Sequence, residues 1–150
     1  MPDLSPRERK ALTALLAQER PVSNAELAAR SGLRLQGTER RRLNELHLVE
    51  SVKRGRGFVH ELSDAGTEAL IRAAYDALAP ARGEFVGLRE LRGQLSGAAR
   101  PRVDRALKAM YADQRINLVP RSNQRALSDA DREAAIRLGG EYKHMISIER

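Results

Sequence analysis

The chain has no cysteine and no tryptophan, and its aromatic content of 3% amounts to three tyrosines and two phenylalanines. The absence of thiols excludes disulfides and thiolate metal sites. With aromatics this scarce, a core must be built from Leu, Ala, Val and Ile, which suits packed helices. Only three histidines are present, His47, His60 and His144. They are scattered, none has a partner at metal-ligand spacing, and each reads better as a partly buried, hydrogen-bonded side chain than as a ligand. No apolar run approaches the roughly 20 residues needed to span a bilayer. The opening Met1-Pro2-Asp3-Leu4 has no signal-peptide pattern, so a soluble cytoplasmic protein without membrane contact is expected. A phosphate-cradling loop is missing too, since Gly55-Arg56-Gly57 is too short for one. The serines stand mostly at helix starts, where capping explains them. Asp64 and Asp129 fall in first turns, where the helix dipole favours acids. No nucleophile–base pair can be defended, so neither an enzyme nor a cofactor nor a metal is expected.

Arginine, by contrast, is abundant. The 150 residues include 23 arginines against four lysines, and the formal net charge is +7. A GC-rich coding sequence accounts for much of the preference for arginine over lysine, but not for the net charge. The guanidinium fork suits phosphates and guanine edges. The balance therefore favours an anionic polymer as partner.

The chain also echoes itself. Leu62-Ser63-Asp64-Ala65-Gly66-Thr67-Glu68-Ala69 and Leu127-Ser128-Asp129-Ala130-Asp131-Arg132-Glu133-Ala134 share the pattern L-S-D-A-x-x-E-A at an offset of 65. Val22-Ser23-Asn24-Ala25-Glu26-Leu27 resembles Val86-Gly87-Leu88-Arg89-Glu90-Leu91 at 64, and Leu43 and Leu46 fall opposite Leu107 and Met110 at the same offset. Three blocks at nearly one offset suggest a small helical unit used twice. Units of about 65 residues have thin cores, so a shared core is expected.

Ser5-Pro6-Arg7-Glu8 is a capping box with proline at the first helical position, opening a helix over 5–19 that Pro21 ends. Ser23-Asn24-Ala25-Glu26 opens a short helix stopped by Ser31-Gly32, and a third helix runs over 36–47 with Leu43 and Leu46 inward. The period then changes. Residues 48–53 and 58–62 suit strands around the basic turn Arg54-Gly55-Arg56-Gly57, with Phe58, His60 and Leu62 on one face. Ser63 caps a helix to about residue 79 whose two apolar stripes imply packing on both sides. That helix is expected to close the first unit and open the second. Helices over 87–95 and 101–112, a strand over 115–119, a loop at 120–123 and a return over 124–127 follow. Ser128 caps a last helix closed by Gly139-Gly140. The alternating 142–148 suits a half-buried strand that edges the sheet or pairs with another chain.

Three helices followed by a β-hairpin with a basic tip is the order of a winged helix-turn-helix. Residues 5–79 resemble the MarR-like winged-helix regulators. Leu43-Asn44-Glu45-Leu46-His47-Leu48-Val49-Glu50 looks like the family's passage from third helix to wing, and Leu62-Ser63-Asp64-Ala65-Gly66 like its exit from the wing. Residues 83–138 resemble a more divergent copy. The resemblance implies a mainly α fold with small β-hairpins (α+β), a tandem winged helix-turn-helix. The first winged helix would occupy 1–79 and the second 63–150, sharing helix 63–79, with a C-terminal strand at 141–149. It also implies a third helix in the major groove and a wing on the backbone or minor groove. By position, the helix candidates are Gln36, Thr38, Arg40, Arg41 and Asn44, and the wing candidates are Lys53, Arg54 and Arg56. Glu39 stands where the family carries an apolar residue. In the second copy, Arg102, Arg105 and Arg121 are the candidates, diluted by Glu90 and Asp104.

The physical expectation agrees. A helix fits the major groove, where arginine pairs with guanine and Asn or Gln with adenine. Three consecutive arginines, Arg40 to Arg42, cannot all face one way, so some belong to a solvated face. The expected function is a bacterial transcriptional regulator, nucleoid-associated, binding double-stranded DNA. Homodimerisation through the C-terminal helix or strand fits the same pattern, and no effector is indicated. Two alternatives stand beside it: a tandem winged-helix protein-docking module of the condensin-accessory kind, and a non-specific nucleic-acid or RNA binder.

Overall fold

The computed structural model describes residues 3–149. It is a mixed α+β fold with seven α-helices and small antiparallel sheets among the described residues. The chain divides into two compact units. One comprises the chain up to Leu70 together with Gly97–Val103, and the other Ile71–Ser96 together with the chain from Asp104 onward. No helix among the described residues is long and apolar enough to cross a membrane.

The first unit runs α1 (Pro6–Leu16), β1 (Val22–Ser23), α2 (Asn24–Ser31), α3 (Gly37–Glu45), β2 (Val49–Arg54) and β3 (Gly57–Leu62), then enters α4 (Asp64–Leu78). Local chemistry accounts for each boundary. Ser5 and Ser23 cap α1 and α2 in reciprocal boxes with Glu8 and Glu26. Gly32 ends α2 in the left-handed conformation. The strands form a sheet in the order β1-β3-β2. Its hairpin register pairs Val49 with Leu62, Ser51 with His60 and Lys53 with Phe58. The two-residue turn Gly55-Arg56 starts with Gly55 at φ 63°, which suits a type II′ hairpin. Leu12, Leu15, Leu16, Val22, Leu27, Leu43 and Leu62 are each at most 2% exposed and form this unit's core.

After α4 come β4 (Val86–Gly87), α5 (Leu88–Gln94), α6 (Arg100–Ala112), whose start up to Val103 belongs to the first unit, and β5 (Asn117–Val119). A single 3-10 turn (Gln124–Ala126) comes next, then α7 (Asp129–Ala134), β6 (Ile136–Leu138), β7 (Glu141–Lys143) and β8 (Met145–Ser147). Three expectations fail here. Residues 124–127 do not return as a strand but make the 3-10 turn. The last helix stops at Ala134, and Gly139-Gly140, both at positive φ, instead turn the β6–β7 hairpin. The C-terminal strand neither edges the sheet nor is open to another chain. It is broken at His144, and β8 is the middle strand of the order β4-β8-β5. β8 therefore holds in its sheet the place that β3 holds in the first, after a detour through residues 120–144.

The echo resolves in the same terms. Ser63 and Ser128 both accept a bond at a helix start, from Gly66 N–H (2.9 Å) and Asp131 N–H (3.1 Å). Yet only the first helix start follows a hairpin strand, so the repeated octet marks two helix caps rather than two equivalent places. The offset also drifts. β1 and β4 lie 64 apart, but His47 and Gln114, the two non-glycine residues at positive φ among the described residues, lie 67 apart. Each follows its helix in a Schellman turn, with Leu48 N–H to Leu43 O (3.0 Å) and Arg115 N–H to Met110 O (2.9 Å). Leu43 thus corresponds to Met110, not to Leu107.

The octets differ at Gly66 and Asp131 for a steric reason. A Cβ at Gly66 would lie 2.2 Å from the Leu48 carbonyl oxygen, whereas Asp131 has room to complete a capping box with Ser128. Gly66→Ala is therefore expected to destabilise the protein by about 1–3 kcal/mol in urea unfolding, through overpacking against backbone. Ala65→Gly on the exposed side of the same turn costs about 1 kcal/mol or less.

Candidate nucleic-acid interface

The arginine triplet on α3 splits in three directions, as the 100° step of a helix requires. Arg42 turns to α1, where it pairs with the buried Glu8 carboxylate and donates to Asp3 O at 2.7 Å. Arg40 turns to the hairpin, its guanidinium carbon 3.9 Å above the Phe58 ring centroid. Arg41 alone lies on the outward face, with Gly37, Thr38 and Glu45. Its guanidinium folds back over Gly37, 3.4 Å from where a Cβ would stand there. Glu39, where an apolar residue was expected, accepts from Gln36 N–H (2.9 Å) and pairs with Arg7 at 2.6 Å. A polar residue there anchors the start of α3 to α1 instead of entering the core.

The hairpin is braced against α3 by one amide. Asn44 Nδ2–H donates to Arg40 O (2.7 Å) and to Ser51 Oγ (3.0 Å), and Asn44 Oδ1 accepts from Ser51 N–H (3.0 Å). Ser51 Oγ lies 2.8 Å from His60 Nδ1. Because the hydroxyl already accepts from Asn44, its proton goes to Nδ1, which assigns His60 as the Nε2–H tautomer. That Nε2 is buried with no hydrogen-bond partner among the described residues. Phe58 and His60 rings are near-parallel, 6.4 Å apart, so Arg40, Phe58 and His60 form a line from α3 into the sheet. Strand alternation puts Lys53 on this same face and Arg54 on the other.

The sequence-predicted residues therefore separate. Gln36, Thr38, Arg41, Lys53, Arg54 and Arg56 are exposed, and Arg40 is half-buried on Phe58. Asn44 is positioned near them, but its amide is engaged within the unit. Arg102 was expected at the surface and is not. It is 4% exposed and donates to Gln18 O (2.8 Å), Leu62 O (3.0 Å) and Glu61 (2.9 Å), all, like Arg102 itself, in the first unit. A guanidinium so occupied offers nothing to an outside phosphate. Arg105 lies on the exposed side of α6. Arg121 was expected at the tip of a second hairpin. The 3-10 turn replaces that hairpin, and Arg121 is half-buried, its N–H donating to His144 Nδ1 at 3.0 Å.

Sequence reading missed Ser51 and His60 as the brace, although the hairpin register already places them opposite each other on the face shared with Lys53 and Phe58. Glu50 and Glu45 are exposed nearby, so the surface is basic but not uniformly so. Among the described residues no cluster of His, Asp or Glu could hold a metal ion. Compared with known proteins, the chain matches no family model, no curated sequence and no solved structure.

Burial, with the Arg40 charge second, holds the His60 imidazole below its usual pKa. Below about pH 6.5 the unfolded chain then binds a proton that the folded unit does not. This contribution to stability is full above that value and is lost as pH falls toward the depressed folded pKa. His144 shifts in the same direction, also mainly by burial, so two sites contribute. His60→Gln is expected to flatten the fall in Tm between about pH 7 and pH 5 relative to the unmodified chain. An unchanged slope would remove His60 from the account. Asn44→Ala is expected to lower stability by about 1–3 kcal/mol, since it strands Ser51 N–H.

Proposed function

We propose that this protein binds double-stranded DNA as a winged-helix transcriptional regulator of bacterial type, through α3 and the β2–β3 hairpin of the first unit. The reading rests chiefly on one observation: exposed Arg41 and Thr38 on the outward face of α3, beside a hairpin carrying Lys53, Arg54 and Arg56 that is braced to that helix. α3 enters the major groove, and the hairpin tip lies on the phosphate backbone, where Gly55 and Gly57 let the chain approach closely. The bracing matters physically. A rigid offset between helix and wing avoids the entropy of ordering them on binding.

The strand orders β1-β3-β2 and β4-β8-β5 support a second winged helix whose wing is interrupted by residues 120–144. In this reading only the first unit grips DNA, and the protein resides on the nucleoid. Because Asn44 is engaged and Arg40 lies on Phe58, base discrimination falls to Arg41, Thr38 and Gln36. The charge on Glu45 further thins it. This favours binding dominated by backbone contacts, and it is the observation that keeps a sequence-tolerant nucleic-acid binder as the second reading.

Fluorescence anisotropy of a labelled duplex over a salt series separates the two. Each lost phosphate contact reduces the log–log salt slope by about 0.9. The pair Arg54→Ala and Arg56→Ala is thus expected to flatten it by about 1.8 at most. Arg41→Ala is expected to erase most of the preference among sequences selected from a random pool, a difference of about 1–3 kcal/mol. If no sequence is enriched while the slope still responds, the sequence-tolerant reading holds. If neither responds, the assignment of this face fails. Arg102→Met serves as a control, lowering stability by about 2–3 kcal/mol without changing the salt slope of the folded protein.

A further inference from the structure

The detour between β5 and β8 borders an open cavity of about 390 Å³, lined by Gln124, Leu127, Arg132, Ala135, Tyr142 and His144. All six residues belong to the second unit, in a segment for which the first unit has only the two-residue turn at 55–56. The volume lies in the range of pockets that bury small ligands.

His144 is the best-held of these side chains. Its N–H donates to Val119 O (2.9 Å) and its C=O accepts from Leu88 N–H (2.8 Å), so its backbone is fixed between β5 and β4. The residue is 7% exposed. Nδ1 accepts from Arg121 N–H at 3.0 Å, which puts the ring proton on Nε2. That N–H has no hydrogen-bond partner among the described residues. Nε2 keeps some solvent access, so its N–H is a free donor on the cavity wall. Burial, with Arg121 nearby, also holds the imidazole below its usual pKa, so the ring stays a neutral donor near pH 7.

The other walls sort by chemistry. Leu127 and Ala135 are buried and apolar. Tyr142 adds a ring over which the Arg137 guanidinium sits at 5.6 Å. Arg132 brings a guanidinium that uses Nη1 on Asp129 at 3.2 Å and is otherwise exposed. The Asp131 carboxylate is engaged by Ser128 N–H and Oγ–H (3.0 and 2.9 Å), and its charge acts on His144 against the effect of burial. Gln124 donates to Arg121 O. Donors thus gather at His144 and Arg132, opposite an aliphatic surface.

We propose that this cavity binds a small carboxylate with an apolar tail, its carboxylate accepting from His144 Nε2–H and the Arg132 guanidinium and its tail lying on Leu127 and Ala135. The proposal is independent of DNA binding, and its test contains no DNA.

The full chain, ¹⁵N-labelled, is titrated with hexanoate and, separately, with hexanamide, following backbone amides by two-dimensional NMR. Hexanoate is expected to give saturable shifts centred on Leu127, Ala135, Tyr142 and His144. Hexanamide, which keeps the tail and loses the charge, is expected to bind at least about tenfold more weakly. Arg132→Ala and His144→Phe are each expected to weaken hexanoate binding about tenfold. Arg132 is exposed, so its variant is expected to fold and decides the matter if His144→Phe does not. The proposal is overturned by any of three results: no saturable shift at these residues up to about 10 mM hexanoate, equal binding of hexanamide, or hexanoate binding unaffected by Arg132→Ala.

Discussion

One carboxamide holds the basic surface of the first unit together. Asn44 reaches from the last turn of α3 to both the backbone N–H and the side chain of Ser51, and Ser51 passes the contact to His60. That chain of bonds adds a polar tie between a nine-residue helix and a hairpin that are otherwise held by Leu43 in the core and by pairing of β3 with β1. The Arg40 guanidinium on Phe58 closes the same seam from the solvent side. A residue that looks from its position like a reader of adenine is thus the joint that fixes where the exposed basic side chains of the hairpin stand relative to α3. The cost of the joint is a buried imidazole N–H without a partner, which makes His60 a sensitive point of the fold.

The opposite side of α3 is held by charge rather than by apolar packing. Glu8, 4% exposed, caps α1 through Ser5 and pairs with Arg42, while Glu39 caps the start of α3 and pairs with Arg7. Backbone and side-chain bonds from Ser5, with Arg42 beside them, hold the Glu8 carboxyl below its usual pKa, against the opposing effect of burial. In a chain with 23 arginines, many guanidiniums therefore serve as internal fastening. Arg102, Arg42 and Arg7 do so directly, which lowers the number of cations offered to a partner. Net charge overstates the grip: the outward face of α3 keeps one arginine, and the hairpin supplies the rest.

The second unit uses the same strand order for a different end. Where the first unit closes its hairpin in two residues, the second leaves β5, runs through a 3-10 turn, α7 and the β6–β7 hairpin, and returns as β8. Arg92 ties this detour back, donating to Ala134 O (2.8 Å) and pairing with Asp104 at 2.7 Å. A basic tip is exchanged for an open cavity. A longer connection between paired strands costs little extra closure entropy, so such a replacement is cheap for the sheet while changing what the unit can bind.

Much of the local order was legible because it is local. Ser-x-x-Glu boxes, Gly32, the Gly55-Arg56 turn and the alternation of Phe58, His60 and Leu62 act over a few residues, and their elements formed where the pattern put them, although α1 ends at Leu16, short of the expected 19. What needs distant partners was not legible. The identical starts at Ser63 and Ser128 concealed different surroundings. The run 142–148 has the alternation of an edge strand, yet it is split between two sheets and its part at 145–147 becomes a middle strand, since period-2 patterning reports which face is buried and not how many neighbours a strand has. Arginine at 40, 41, 42 and 102 reads the same in one dimension. Whether each meets a ring, the solvent, a carboxylate or three backbone and side-chain oxygens depends on helix phase and on segments up to 84 residues away. Composition and short-range spacing thus determined the kinds of element and the excess of positive charge. Only the folded arrangement decided which charges face outward, because that depends on which acceptors folding brings within bonding distance.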